Sequence, residues 1–242
     1  MSKLNSDSFS NNNNFKYEGR DLESMSFAQN YHNWIYNVIA PSLGNNIAEI
    51  GSGVGNFTKF LLKNSHSYVH AYEPCAIMHK SCTSLNHNRV NCLNKNFETE
   101  KESKLNYFDS VVFINVLEHI QRDDQAIEAS FEILKKGGKL VIFVPALNSL
   151  YSEFDKSVGH FRRYQKKHLI RLLSNKGFRI QTCNYFDCIG IIPWFIFIKV
   201  FRGGLNPSSV KAYDSLIVPW LCIIEKLIAP PIGKNLLAIA TK

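Results

Sequence analysis

The 242-residue chain carries 28 Lys and Arg against 20 Asp and Glu, a formal charge of +8, with its basic residues in short groups such as "LKK", "FRR" and "QKK". It has no long basic run and no basic stretch interleaved with aromatics, so nucleic acid is disfavoured as a partner; an anionic small molecule or a membrane surface accounts for the excess charge equally well. Cys75, Cys82, Cys92, Cys183, Cys188 and Cys222 show no C-x-x-C spacing, which argues for reduced thiols and against a zinc site.

The length suits one α/β domain with a full core and room for an insertion. Residues 1–15, "MSKLNSDSFSNNNNF", are polar, rich in Asn and Ser, and lack an apolar h-region. They are expected to form a flexible tail rather than a signal peptide, ahead of a single domain over 16–242 in a cytoplasmic protein. Residues 22–40 space their apolar side chains at three and four, which predicts an amphipathic helix stopped by Pro41. Strands are predicted at 46–50, 68–72, 90–94, 108–114, 139–145, 178–185 and 236–241. Helical patterns separate the first five, notably "FTKFLLKN" and "DDQAIEASFEILKK", the latter with an Asp start and a Gly-Gly stop. Strand alternating with helix implies a mostly parallel sheet covered by helices on both faces, a three-layer α/β/α architecture.

Roughly fifty residues separate the last two strands, too many for a bare loop inside a compact domain. This insertion holds two apolar runs, 188–201 and 213–233, interrupted by Pro193 and Pro219 and ending near Lys199, Arg202 or Lys226. Each is too short to span a bilayer. Residues 188–233 are therefore read as helices packed on the domain, as an apolar cap over the site, or as a peripheral membrane surface anchored by Trp194 and Trp220.

The stretch "AEIGSGVG", 48–55, joins an apolar run, an acidic residue and three close glycines. Gly51, Gly53 and Gly55, with Ser52 between them, let backbone approach a ligand after a strand. The spacing is not the G-x-G-x-x-G of dinucleotide sites. Glu49 lies two residues before the first glycine, where its charge suits a cationic part of a ligand and would repel a pyrophosphate. Glu73 follows Gly51 by 22 positions, the distance of a strand, a helix and a second strand, and could accept hydrogen bonds from two ribose hydroxyls. A ribose and a cation together point to S-adenosylmethionine.

On these residues the chain resembles the class I S-adenosylmethionine-dependent methyltransferases, of methyltransferase type 11/12 form. Their first motif is E-x-G-x-G-x-G, and an acidic residue after the second strand is their second. "FDSVVFINVLEHI", 108–120, is similar to the family's fourth strand and the segment after it, and "LKKGGKLVIFVPA", 134–146, to the turn into its fifth strand. The resemblance implies a Rossmann-like seven-stranded sheet with its last strand antiparallel. It further implies that Asn96 takes the place of the acid that receives the adenine amino group, that Phe97 covers the adenine face, and that Asn115 and Val116 flank the methionine part. Structural roles stay open beside these: a salt bridge for Glu49, a helix cap for Glu73 with Pro74, and plain core for Phe97.

Some related enzymes carry E-x-x-E-H and bind a divalent ion there. This chain has "NVLEH", and one carboxylate and one imidazole are too few ligands for a hard cation, so no metal is expected. His119 either faces the acceptor or is a hydrogen-bonded structural histidine. "DKSVGHFRRY", 155–164, resembles a segment found in a subset of bacterial-type methyltransferases. His160 is expected to take a proton from the acceptor, Tyr164 to hydrogen-bond it, and Arg162 and Arg163 to clamp a carboxylate or phosphate, while pairing of Asp155 with an arginine could simply hold the loop shut. The expected acceptor is small or lipid-like. The alternatives are a non-catalytic cofactor- or partner-binding module and an NAD-linked oxidoreductase.

Overall fold

The computed structural model describes residues 26–200 and 206–242. The tail expected over 1–15, residues 22–25 of the expected first helix, Arg202 and the Lys199 side chain lie outside the described residues; residues 26–28 are not helical, and that helix begins at Gln29 rather than earlier. Seven strands form one sheet in the order β3-β2-β1-β4-β5-β7-β6. They are β1 (Asn46–Ile50), β2 (Tyr68–Tyr72), β3 (Val90–Leu93), β4 (Phe108–Ile114), β5 (Leu134–Pro145), β6 (Arg179–Phe186) and β7 (Asn235–Thr241). β1 to β5 run parallel, and β7 is antiparallel to both β5 and β6. The parallel strands read as near-continuous apolar runs because both of their faces are covered.

Two buried clusters lie on the two faces. One packs α4 (Asp123–Ile133) and α6 (Lys166–Asn175) on the sheet through Ile127, Ile133, Leu169 and Leu173. The other packs α1 (Gln29–Ile39) through Trp34, Ile35 and Ile39, with Phe57, Phe60 and Leu61 around α2 (Thr58–Leu61). Each such side chain, fully buried, contributes about 1.5–3 kcal/mol. The sheet order reverses between β1 and β4, and their carboxyl ends open the crevice where an open α/β sheet binds its ligand.

One expected boundary is corrected. Helix α4 ends at Ile133, and Gly137 and Gly138 lie within β5 rather than stopping the helix. The pairing of β4 with β5 shifts register between Phe108 and Ser110, and Gly137, at φ +81°, belongs to the irregular stretch of β5 that takes up the slip.

The insertion folds into helices packed on the domain. It comprises α7 (Ile191–Pro193), which continues as a π-helical turn over Trp194–Val200, then α8 (Pro207–Leu216) and α9 (Val218–Leu227). Val218 and Leu221 enter the cluster of Trp34 and Phe186. Polar contacts fix the docking. Helix α1 has no side-chain cap of its own, and the Asp214 carboxylate accepts the Asn30 and Tyr31 N–H groups at 3.0 and 2.8 Å, supplying the cap from α8. Glu225 likewise accepts the N–H groups of Asp187 and Cys188. Outward, α9 presents Trp220, Ile223, Ile224 and Leu227, with Trp220 72% and Leu227 79% exposed.

Candidate active site

The crevice is a cavity of about 1180 Å³. Its first end is the turn after β1, where Gly51, Gly53 and Gly55 all take positive φ, +67°, +56° and +82°. The turn is anchored on β2, since the N–H groups of Gly51 and Ser52 both donate to the Tyr72 carbonyl at 2.8 and 3.1 Å. A Cβ on Gly51 would lie 2.6 Å from Val116 Cγ2, so glycine there permits the approach of the β4 connection. Gly51, Ser52 and Gly53 line the cavity. Gly55 instead packs on Leu85 and Cys82, where an added Cβ would be 2.7 Å from Leu85, and it does not line the wall as expected.

Glu49 is buried and faces the cavity. The Thr58 hydroxyl donates to it at 2.6 Å, and no ion pair involves it among the described residues. The structural salt bridge left open for it is therefore not made there. Burial pushes its pKa up to about 8, opposed by the Thr58 hydrogen bond and aided by the nearby Glu73. A buried carboxyl of this kind fits a cationic ligand, which would restore its charge. Glu73 accepts the Gly53 N–H and the Cys75 N–H, each at 2.8 Å, so it supports both the glycine turn and the start of α3 (Ala76–Thr83). Burial raises its pKa too, against those two hydrogen bonds. Each carboxylate oxygen has a second lone pair, which leaves capacity for ribose hydroxyls. Pro74, Asn96, Phe97, Asn115 and Val116 also line the cavity. Phe97 does double duty, being buried edge-on against Tyr72 and Phe113 as well. Asn115, at φ +52°, turns the chain out of β4.

The opposite end is assembled from the connection after β4 and the loop after β5, which carries the short helix α5 (Glu153–Ser157). His160 Nδ1 lies 2.9 Å from Asp155 Oδ1, and its Nε2 lies 3.9 Å from Glu118 Oε1. Asp155 is saturated: Oδ1 also takes the Arg163 Nε–H at 2.8 Å, and Oδ2 takes the Ser152 N–H and hydroxyl, each at 2.9 Å. Against the upward push of burial, His160 and Arg163 hold its carboxyl below the usual range. The His119 ring meets that of His160 edge-on at 4.6 Å, and burial drives its pKa down to about 3. Glu118 is wholly buried, neither side-chain oxygen has a hydrogen-bond partner, and burial raises its pKa to about 7.

Two expected acceptor contacts are corrected. Tyr164 is fully buried below the cavity wall, and its hydroxyl donates to Asp123 at 2.9 Å, with the Leu117 carbonyl a more distant acceptor at 3.3 Å. Arg162 pairs with Asp123 at 2.6 Å and with the Gln121 carbonyl, again away from the cavity. Both hold the loop onto the start of α4. Arg163 does face the cavity, but it is spent on Asp155 and stacks over Trp194 at 4.6 Å. The loop is thus clamped through Asp155, and His160 is brought to the wall.

Sequence reasoning passed over Tyr151, Phe154 and Lys234 as wall residues. The Tyr151 hydroxyl donates to the His160 carbonyl at 2.7 Å, while Phe154 packs edge-on against Trp194. Trp194 lines the cavity and only Trp220 points outward, which corrects their joint reading as membrane anchors. Lys234, paired with Asp187 at 2.9 Å, carries no local sequence signal.

A family model described as a methyltransferase domain matches residues 26–182. No curated protein matches the chain. Among solved structures, an S-adenosylmethionine-dependent methyltransferase from Archaeoglobus fulgidus is 17% identical, with a TM-score of 0.63 over 92% of this chain and 99% of that one. A Thermotoga maritima methyltransferase, described as a possible histamine N-methyltransferase, is 16% identical with a TM-score of 0.64 over 94% and 97%. Phosphoethanolamine N-methyltransferase 2 of Haemonchus contortus, solved with S-adenosylmethionine, is 16% identical with a TM-score of 0.62 over 94% of this chain and 58% of its own. At these identities the likeness is one of fold. With the family match, the strand order and the glycine turn flanked by Glu49 and Glu73, the chain belongs to the class I S-adenosylmethionine-dependent methyltransferases.

Proposed function

We propose that the chain methylates a small or lipid-like acceptor through a hydroxyl or amine held at the His119 and His160 end of the cavity. The observation that carries this is the Asp155–His160 pair, 2.9 Å apart, on the wall of the same cavity as the Gly51 turn. S-adenosylmethionine supplies an electrophilic methyl group on a cationic sulfonium. Glu49 supplies the buried negative charge that meets the cofactor's cationic part, and Glu73 and the Gly53 turn receive its ribose. Asn96 and Phe97 cover the adenine, and Asn115 and Val116 flank the methionine part.

At the far end, Asp155 fixes the His160 proton on Nδ1 and turns the Nε2 lone pair to the cavity, where it can take a proton from an acceptor. Trp194 and Phe154 cover this end and exclude water, so that alignment does most of the chemical work. His160→Ala is expected to lower kcat by about 10²–10⁴-fold while leaving S-adenosylhomocysteine affinity unchanged by calorimetry. Full turnover by that variant, or no turnover of hydroxylated and amine acceptors by the parent chain, would overturn the reading.

The lipid-like class rests on α9. Its inner side is packed by Val218 and Leu221, yet its outer side is also apolar, with Lys226 exposed among its side chains. No described helix is long and apolar enough to cross a membrane. Trp220, Ile223, Ile224 and Leu227 share one face of α9, and such an exposed apolar stripe suits a peripheral contact with a lipid surface. Cosedimentation with phosphatidylglycerol vesicles is expected for the parent chain, and Trp220→Ser with Ile224→Ser should abolish it.

A further inference from the structure

The expectation of no metal counted ligands within "NVLEH" alone, and the fold adds His160, 41 positions after His119. We propose that Glu118, His119 and His160 bind a first-row divalent transition metal at the acceptor end of the cavity, with positions left open to the acceptor. The proposal rests on the methyl-transfer reading of that cavity.

The three residues each offer one ligand atom, and these atoms lie within 4.8 Å of one another. A tetrahedral ion with bonds of about 2.0–2.2 Å spreads its donors about 3.4 Å apart. The separation of 3.9 Å between His160 Nε2 and Glu118 Oε1 is already near that value, so small side-chain rotations would close the set. Glu118 is the second, independent observation. It is 0% exposed, both its oxygens lack a hydrogen-bond partner, and it faces the cavity. Buried polar atoms in native proteins nearly always find partners, and a cation would satisfy both of these.

The surroundings of the ligands agree. Asp155 receives His160 Nδ1 at 2.9 Å, which leaves Nε2 as the donor to an ion; a carboxylate behind a ligating imidazole is the common outer arrangement of such sites. His119 is steadied by a hydrogen bond to the Gly159 backbone. Two imidazoles with one carboxylate suit Zn²⁺, Co²⁺, Fe²⁺ or Mn²⁺, whereas Mg²⁺ and Ca²⁺ favour oxygen ligands. An acceptor hydroxyl in an open position would lose its proton to bulk water more readily. Its oxygen would then attack the methyl carbon as the carbon–sulfur bond breaks and the electron pair returns to sulfur. His160 then acts through the ion, as a ligand.

The test uses the full chain, freed of metal by chelation and titrated with Co²⁺ by visible absorption and with Zn²⁺ by calorimetry. One ion per chain and the bands of four- or five-coordinate Co²⁺ are expected. Glu118→Gln and His160→Ala should each weaken binding at least about tenfold, and Asp155→Asn by about 10–100-fold. Retained S-adenosylhomocysteine affinity would certify that the variants fold. Cys82 and Cys92 have their sulfurs 2.9 Å apart, and a chain carrying Cys82→Ser and Cys92→Ser should bind normally, excluding that thiol pair as the site. Absence of stoichiometric uptake, or unchanged affinity in Glu118→Gln and His160→Ala, overturns the metal site. If His160→Ala still loses methyl transfer in that case, the reading of the cavity stands and only the metal falls.

Discussion

At the proposed donor end of the cavity, Glu49 comes from β1 and Gly51, Ser52 and Gly53 from the turn after it, and Glu73 reaches that turn from the end of the neighbouring strand through a 2.8 Å hydrogen bond. At the acceptor end, Glu118, Asp155 and His160 come from two separate connections, and two ion pairs with arginines, Asp155–Arg163 and Asp123–Arg162, hold the assembly in place. The donor end is built at the ends of adjacent parallel strands whose register is set by packing on both faces, so its residues fall at strand ends that the sequence pattern locates. The acceptor end depends on loops, which are free to differ while the scaffold holds still. The same contrast separates a binding site for a constant cofactor from one for a particular acceptor.

His160 is the residue at which the two ends part most clearly. His160→Ala should remove two to four decades of kcat and nothing from cofactor binding, measured as turnover beside calorimetric affinity. Equal losses in both would mean that the two ends are not separable.

The next effect belongs to Glu49. Glu49→Gln should weaken S-adenosylmethionine by at least about 2 kcal/mol, roughly 30-fold, with a smaller change for S-adenosylhomocysteine, which lacks the sulfonium charge. Because the ligand-free carboxyl has its pKa near 8, S-adenosylmethionine affinity should rise as pH climbs through about 8, and binding at neutral pH should release a proton. The sign for stability is opposite. Between the usual carboxyl value of 4.5 and about 8 the folded ligand-free chain keeps a proton that the unfolded chain has lost. Its unfolding free energy should therefore fall as pH rises through that window, and Glu49→Gln should flatten the slope.

Smaller effects test the frame of each end. Gly51→Ala forces a side chain to φ +67° and onto Val116, and should cost at least about 1 kcal/mol in urea unfolding. Tyr164→Phe removes the hydroxyl bond to Asp123, and should cost about 1 kcal/mol of stability with kcat unchanged. A large loss of kcat in Tyr164→Phe would restore the acceptor contact that the buried position of Tyr164 argues against.

Much of the scaffold was legible because its signals are local. β1, β2 and β4 fall where the apolar runs put them, and the alternation of strands with helices implies their parallel pairing. The Gly-Gly after α4 misled, because the same pair that stops a helix also serves a bulge, and only pairing with β4 distinguishes the two. Gly55 read as part of the cofactor turn, yet its neighbour is Leu85, thirty positions away in sequence. "GHFRRY" reads as one unit in the sequence, but its side chains part in the fold. Every polar side chain in it looks alike on paper, and Arg162 and Tyr164 turn away toward Asp123 while His160 and Arg163 turn to the cavity.

The strands, the glycine turn and the two carboxylates beside it could be read from the chain alone, because periodicity, backbone φ and charge placement act over a few residues. Tertiary structure alone decided that Asp214 caps α1 from 184 positions away, that Trp194 covers the cavity while Trp220 faces out, and that Glu118, His119 and His160 meet. Those outcomes depend on which loops share one crevice, and no rule of spacing along the chain measures distance across it.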